Sequence, residues 1–256
     1  MLFRNPICVA AGPLGFGAEF TDWQHCGAFF TQTLTEESSQ GNLRERLFEA
    51  PAGIINNVGL DNPGLDAFIE TILPSLKQKG CPIVVSILAT NDVNKTVRMA
   101  RKLNGLVDGL ELNLSCPNTS NKHSFLFKAV KSTVNKVLWN VDLPIIVKLS
   151  YRDNIVELAS AAFYGGATAV SAINSIPVLN GGLSGPAIRP IALKCVSDIK
   201  QSVDIPIIGI GGITRYSDAQ EFFKAGATAI AVGSALLVDK NCISKIKRDY
   251  DESLSR

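Results

Sequence analysis

Short apolar runs rich in β-branched residues recur along the chain, each followed by a longer stretch in which apolar positions return with helical spacing. The runs fall at residues 6–11 (PICVAA), 28–33 (AFFTQT), 82–88 (PIVVSIL), 109–115 (GLELNLS), 144–150 (PIIVKLS), 168–174 (TAVSAIN), 206–212 (PIIGIGG) and 228–234 (TAIAVGS). Between them lie helical patterns such as LDAFIETILPSLKQKG (65–80) and NDVNKTVRMARKLNG (91–105), the second opening on an Asn-Asp cap. The phrases YGGAT and KAGAT stand at helix-to-strand joints, where glycine ends the helix and lets the chain turn.

Eight such pairs predict an α/β protein, a (β/α)8 TIM barrel, whose strands are covered on both sides and therefore read as near-continuous apolar runs. The competing architecture is an open doubly wound sheet. Against it stand the missing GxGxxG after the first run and the scatter of polar residues over the ends of many strands. No linker or compositional break interrupts the pattern, so residues 1–256 are expected to form one domain. The segment 34–65 is long for one connection and is expected to be a structured excursion over the barrel top.

Composition narrows the class. The chain has 256 residues, 46% of them apolar and 19% charged, enough for one large core, and a formal net charge of +2 with scattered basic residues. A nucleic-acid partner is not expected, nor is a membrane span, because no apolar run reaches the required length. The protein is expected to be cytoplasmic. Six cysteines at 8, 26, 81, 116, 195 and 242 form no CxxC pair, which argues for reduced thiols and against a zinc site or disulfide frame. Cys8, Cys81, Cys195 and Cys242 lie in apolar runs or helix faces and read as core residues, while His25 and Cys26 sit on the first helical stretch without an assigned role. His123, a lone histidine seven residues beyond Cys116, reads as solvent-facing.

In a barrel the C-terminal strand ends converge on one mouth. That would gather Ala11 and Gly12; Gln32 and Thr33; Asn113, Ser115 and Cys116; Lys148; Asn174 and Ser175; Gly211 and Gly212; Gly233 and Ser234. Glycines at the ends of the seventh and eighth runs are where barrels hold a phosphate on backbone N–H groups, although tight turns alone would also call for them. A bulky residue at Gly211 or Gly233 is expected to empty such a site and leave the barrel intact. Lys148 ends a buried strand, where an ammonium needs an anion in the mouth or a structural ion pair with a carboxylate such as Glu111.

Taken together, NNVGLDNPG (56–64), ELNLSCPN (111–118), PIIVKLS (144–150), INS (173–175), GGLSGPAIRPIAL (181–193), GIGGI (209–213) and VGSALL (232–237) resemble the motifs of the class 1 dihydroorotate dehydrogenases, in the family's order. The resemblance implies an FMN-containing barrel that oxidises dihydroorotate to orotate in pyrimidine biosynthesis. It implies Cys116 as catalytic base, with hydride passing to FMN. It places Asn56, Asn113, Asn118, Asn174 and Ser175 on the substrate, amides suiting a pyrimidine edge because each both donates and accepts. Lys148 would face the flavin, where positive charge stabilises the reduced anionic ring. Gly185, Gly211, Gly212, Gly233 and Ser234 would hold the ribityl phosphate, with Ala11, Gly12, Gln32, Thr33 and Asn113 completing the cofactor contacts.

The chain departs from the family pattern in four places. Gln32 stands where a lysine is usual and Ser39 where an arginine is usual, although Arg46 is near. The loop after Cys116 lacks a glycine pair, and the segment between Ser175 and Gly181 is short. Two alternatives follow: an FMN-dependent dehydrogenase of a neutral dihydropyrimidine, and a degenerate barrel without catalysis. The expected assembly is a homodimer, with an FAD and iron–sulfur electron-transfer subunit if the chain belongs to the partner-using subclass that NPICVAAGPLGFGAEF and GLDNPG resemble.

Overall fold

The computed structural model describes residues 3–114, 127–151 and 154–255. In chain order its strands are β1 (Ile7–Val9), β2 (Phe29–Phe30), β3 (Leu47–Ala50), β4 (Gly53–Asn56), β5 (Ile83–Leu88), β6 (Gly109–Asn113), β7 (Ile145–Leu149), β8 (Ala169–Ala172), β9 (Ile176–Val178), β10 (Gly181–Ser184), β11 (Ile207–Gly209) and β12 (Ala229–Val232). Strands β1, β2, β5, β6, β7, β8, β11 and β12 close a barrel, each pair parallel. These are the eight expected runs, each trimmed by a few residues at its ends.

The alternation within each strand sorts side chains into two cores. Outward residues such as Leu110, Leu112, Ile145 and Val147 join the apolar layer beneath the helices. Inward residues Cys8, Ala10, Ala28, Phe30, Val84, Ile146, Ala169, Ile208, Ala229 and Ala231 fill the barrel itself, and Phe3 closes its lower end edge-on to Phe30 at 6.0 Å. Each fully buried Ile, Leu or Phe contributes roughly 1.5–3 kcal/mol.

Helices α1 (Leu65–Ala67) and α2 (Leu73–Lys77) follow β4, joined by a π turn over Phe68–Ile72. Pro74 has no N–H and its ring crowds the carbonyl four residues back, so the ladder widens there and the Leu73 N–H reaches Phe68 O. The remaining helices are α3 (Val93–Leu103), α4 (Phe127–Leu138), α5 (Ile155–Gly165), α6 (Arg189–Ser202), α7 (Tyr216–Ala225) and α8 (Cys242–Leu254). Asp92 caps α3, its carboxylate accepting from Asn94 N–H and Lys95 N–H. Gly166 and Gly226, at φ 93° and 108°, end α5 and α7 in the left-handed conformation expected of YGGAT and KAGAT.

Two features differ from expectation. No helix joins β1 to β2; residues 10–28 run through turns, because Gly12, Gly15 and Gly17 all have positive φ and Pro13 stands between them. His25 and Cys26 therefore lie in a turn, with His25 Nδ1 2.6 Å from Asp22 and the Cys26 thiol donating to Ala28 O. The second difference is an antiparallel sheet in the order β3-β4-β10-β9. The expected excursion over 34–65 supplies its first hairpin, and the stretch after Ser175 supplies the other. Gly181 and Gly53 permit the close pairing, since a Cβ on either would fall 2.3 Å from a carbonyl oxygen across the strands.

Candidate active site

Parallel register aligns inward positions of neighbouring strands: Ser86 beside Glu111, Asn113 beside Lys148, and Lys148 beside Ser171. Above the apolar filling of the barrel these make a polar layer. Glu111, 0% exposed, accepts from Ser86 Oγ at 2.9 Å and Ser171 Oγ at 2.8 Å, and Lys148 Nζ stands 3.8 Å from its second oxygen. Thr33 Oγ1 lies 3.0 Å from Ser86 Oγ and accepts from Asn113 Nδ2, also at 3.0 Å.

The ion-pair reading of Lys148 is the one the structure shows. It pairs with Glu111 and, at 4% exposure, lines a cavity in the mouth. At the 3.8 Å separation, attraction at an effective dielectric near 20 is about 4 kcal/mol. That is comparable with the several kcal/mol each ion loses on leaving water. The pair thus adds little net stability, and its consequence is where the ammonium sits.

Two adjoining cavities open at the C-terminal ends of the strands. The smaller, about 90 Å³, is walled by Ala10, Ala11, Lys148, Asn174, Ser175, Ser184, Gly185, Gly211, Gly212, Gly233 and Ser234 among others. The larger, about 410 Å³, is walled by Ala11, Gly12, Gln32, Thr33, Asn56, Asn113, Asn174 and Ser175, with Leu47, Ile54, Val58 and Leu60 from the covering segment. Ala11, Asn174 and Ser175 belong to both, and the larger alone falls in the range of small-molecule sites. Every expected site residue that the structure describes lines one of them. Ser115, Cys116, Asn118 and His123 lie outside the described residues.

The glycines divide by cause. Gly185, Gly211 and Gly212 have φ of 100°, 138° and 69°, and a Cβ on each would fall 2.7 Å from Gly53 Cα, Ala192 Cβ and Gly185 O respectively. Their conformation serves close packing as well as the cavity, so a bulky side chain at Gly211 would not leave the barrel intact. Gly12 and Gly233 differ. A Cβ at Gly12 meets nothing within 4 Å, and one at Gly233 meets only Pro13 and Ala10, at 3.6 and 3.7 Å. At these two positions no packing contact excludes a side chain, although the backbone of each, at φ 117° for Gly12 and φ −113°, ψ −103° for Gly233, still favours glycine.

The loop after β11 is held from below by Asp218, which accepts from Thr214 N–H at 3.0 Å and Thr214 Oγ1 at 2.7 Å and pairs with Arg189. Burial alone would raise this carboxyl, but the Thr214 bonds and the charges of Arg189 and Arg215 outweigh it and hold it below the usual range.

Gln32 donates through Nε2 to Asp61 O, while Asp61's carboxylate takes Arg46 Nη1 at 2.5 Å. Arg46 also donates to Gln40 O and Asn42 O. Gln32 thereby ties the mouth to the covering segment. Asn56 donates to Gly182 O at 3.0 Å, and Asn174 Oδ1 accepts from Ser175 N–H.

Sequence reasoning missed Ser86, Ser171 and Ser184. The first two had a signal, a hydroxyl at the inward register of an otherwise apolar strand; Ser184 stands inside the quoted GGLSGPAIRPIAL motif, but its place on the second sheet was not foreseen.

The family model described as dihydroorotate dehydrogenase matches residues 1–254. Similar proteins include those named dihydroorotate dehydrogenase B (NAD(+)), catalytic subunit, from Petrotoga mobilis and Caldicellulosiruptor bescii. The first is 39% identical over 276 residues, covering 99% of this chain and 92% of the relative. The second is 41% identical over 276 residues, covering 99% and 91%. A Geobacter relative of the same name is 39% identical, with 98% and 90% covered. The match runs over nearly the whole barrel, and the chain belongs to the dihydroorotate dehydrogenase family.

Proposed function

We propose that this protein oxidises dihydroorotate to orotate with bound FMN, in pyrimidine biosynthesis. The observation that carries the proposal is the meeting of two cavities in one mouth, one walled by backbone and Lys148, the other by amides. The open space at Gly12 and Gly233 fits the group, and Gly185, Gly211, Gly212 and Ser234 would hold its phosphate. Bound FMN supplies the two-electron acceptor. Lys148 presents positive charge to it, and Ala11, Gln32, Thr33 and Asn113 complete its surroundings.

Asn56, Asn113, Asn174 and Ser175, with Asn118, bind and orient the pyrimidine ring, and Leu47, Ile54 and Leu60 exclude water above it. Among the described residues, Lys148 is the only titratable group lining either cavity. The resemblance of ELNLSCPN to the family motif assigns the base to Cys116, three residues beyond Asn113, and its Sγ takes the proton from the carbon next to the ring carbonyl. Electrons leave through a partner subunit carrying FAD and an iron–sulfur centre on the way to NAD, a reading supported by the catalytic-subunit names of the relatives. The assembly is built on a homodimer of this chain in the cytoplasm. No helix among the described residues is long and apolar enough to cross a membrane.

The purified protein is expected to be yellow and to bleach anaerobically on addition of dihydroorotate, with no response to dihydrouracil. A protein that stays colourless after incubation with FMN, or that answers only the neutral ring, would overturn the reading.

Gln32 tests the anionic substrate independently. Gln32→Lys adds an ammonium to the wall of the larger cavity, and a charge-assisted hydrogen bond exceeds a neutral one by roughly 1 kcal/mol. Orotate is expected to bind about fivefold to tenfold tighter, with uracil unchanged, in a titration followed through the flavin spectrum. Equal or weaker orotate binding would remove the substrate carboxylate from this wall.

A further inference from the structure

Ser86, Glu111 and Ser171 are fully buried and line neither cavity, yet they join the two sides of the mouth. A carboxylate only accepts, so both serines donate to Glu111. Each hydroxyl has one proton. Having given it to Glu111, Ser86 accepts from Thr33, and Thr33 accepts from Asn113 Nδ2. The chain of bonds thus has one polarity, set by the charge at its end, and it turns the Asn113 amide nitrogen toward Thr33. On the other side the second oxygen of Glu111 is shared between Ser171 Oγ at 2.8 Å and Lys148 Nζ at 3.8 Å.

We propose that Glu111 is a positioning residue for both halves of the site. It fixes where Lys148 presents its ammonium on the flavin side, and through Ser86 and Thr33 it fixes which way Asn113 presents its amide on the substrate side. The inference rests on the proposed placement of FMN against Lys148. Its two arms pass through different serines, so they separate by substitution.

The test compares holoenzyme variants by the ratio of reduced to oxidised flavin at a fixed reference potential and by orotate affinity. Glu111→Gln removes the counter-charge of Lys148 and the anchor of the chain. It is expected to raise the reduced fraction about tenfold, roughly 30 mV for a two-electron couple, and to weaken orotate. Ser171→Ala leaves Glu111 to draw Lys148 away from the mouth, and should lower the reduced fraction roughly threefold with orotate affinity kept. Ser86→Ala breaks only the other arm and should weaken orotate roughly threefold to tenfold with the potential kept.

A merely structural carboxylate would lower melting temperature and move neither readout in this split. If Glu111→Gln does not hold flavin, the two serine variants decide alone. Lys148→Met is the control. A potential that moves in Lys148→Met while both serine variants match wild type overturns the positioning role, whereas a potential unmoved in Lys148→Met overturns the placement of FMN as well.

Discussion

Gly233→Leu is expected to be recovered folded and to bind its cofactor more weakly. The glycine follows β12 at φ −113° and ψ −103°, outside the regions an L-residue adopts without strain, and its missing Cβ faces space bounded by Pro13 and Ala10. A leucine, unbranched at Cβ, extends into the smaller cavity. Crowding of the cavity by about 1–3 kcal/mol weakens FMN roughly fivefold to 150-fold, and the backbone strain, about 1–3 kcal/mol, lowers the apoprotein's melting temperature by a few degrees without unfolding it. Gly211→Leu is the contrasting case. Its Cβ would sit 2.7 Å from Ala192 Cβ at a φ of 138°, so that variant should lose the fold together with the flavin. An FMN affinity unchanged in Gly233→Leu would move the cofactor elsewhere in the mouth.

The difference between these glycines shows what was legible in the chain and what was not. All eight barrel strands could be read, because each is buried on both faces and its apolar run is bounded by turn residues. The caps at Asp92, Gly166 and Gly226 could be read for the same local reason. The second sheet could not: β3 is largely exposed, β10 reads GGLS, and neither shows alternation against a core. Its register comes from pairing across more than a hundred residues, Gly182 with Asn56, which no local window contains. Gln32 was read as a cofactor contact standing where a lysine is usual, whereas its amide also ties down the covering segment through Asp61.

The site followed the same rule. Residues at strand ends were found because barrel closure alone gathers them, and each one described lines a cavity. Whether a glycine serves packing or the cavity needed coordinates, since both uses look alike in GIGGI and VGS.

Cys116→Ala is expected to cost the most. Strand β6 delivers Asn113 to the mouth, and the thiol follows three residues later. The other five cysteines are buried and line neither mouth cavity. Burial pushes the thiols of Cys195 and Cys242 up to about 11 and about 12, and that of Cys8 higher still, so none of these three offers a thiolate near neutrality. Cys81 is held lower by its contact with Cys26, but it lies ahead of β5, at the opposite end of the strands from the mouth. A positioned base is worth roughly 10²–10⁴ in rate. Stopped-flow mixing of Cys116→Ala with dihydroorotate should show flavin reduction slowed by about that factor, with orotate still bound because the amides are untouched. Cys116→Ser should keep a remnant that grows as pH rises, since a hydroxyl gives up its proton less readily than a thiol and becomes a competent acceptor only in more alkaline solution. His123, the other basic residue types aside, is the rival within the same stretch of sequence. Unchanged reduction in Cys116→Ala together with a collapse in His123→Ala would transfer the role to the imidazole.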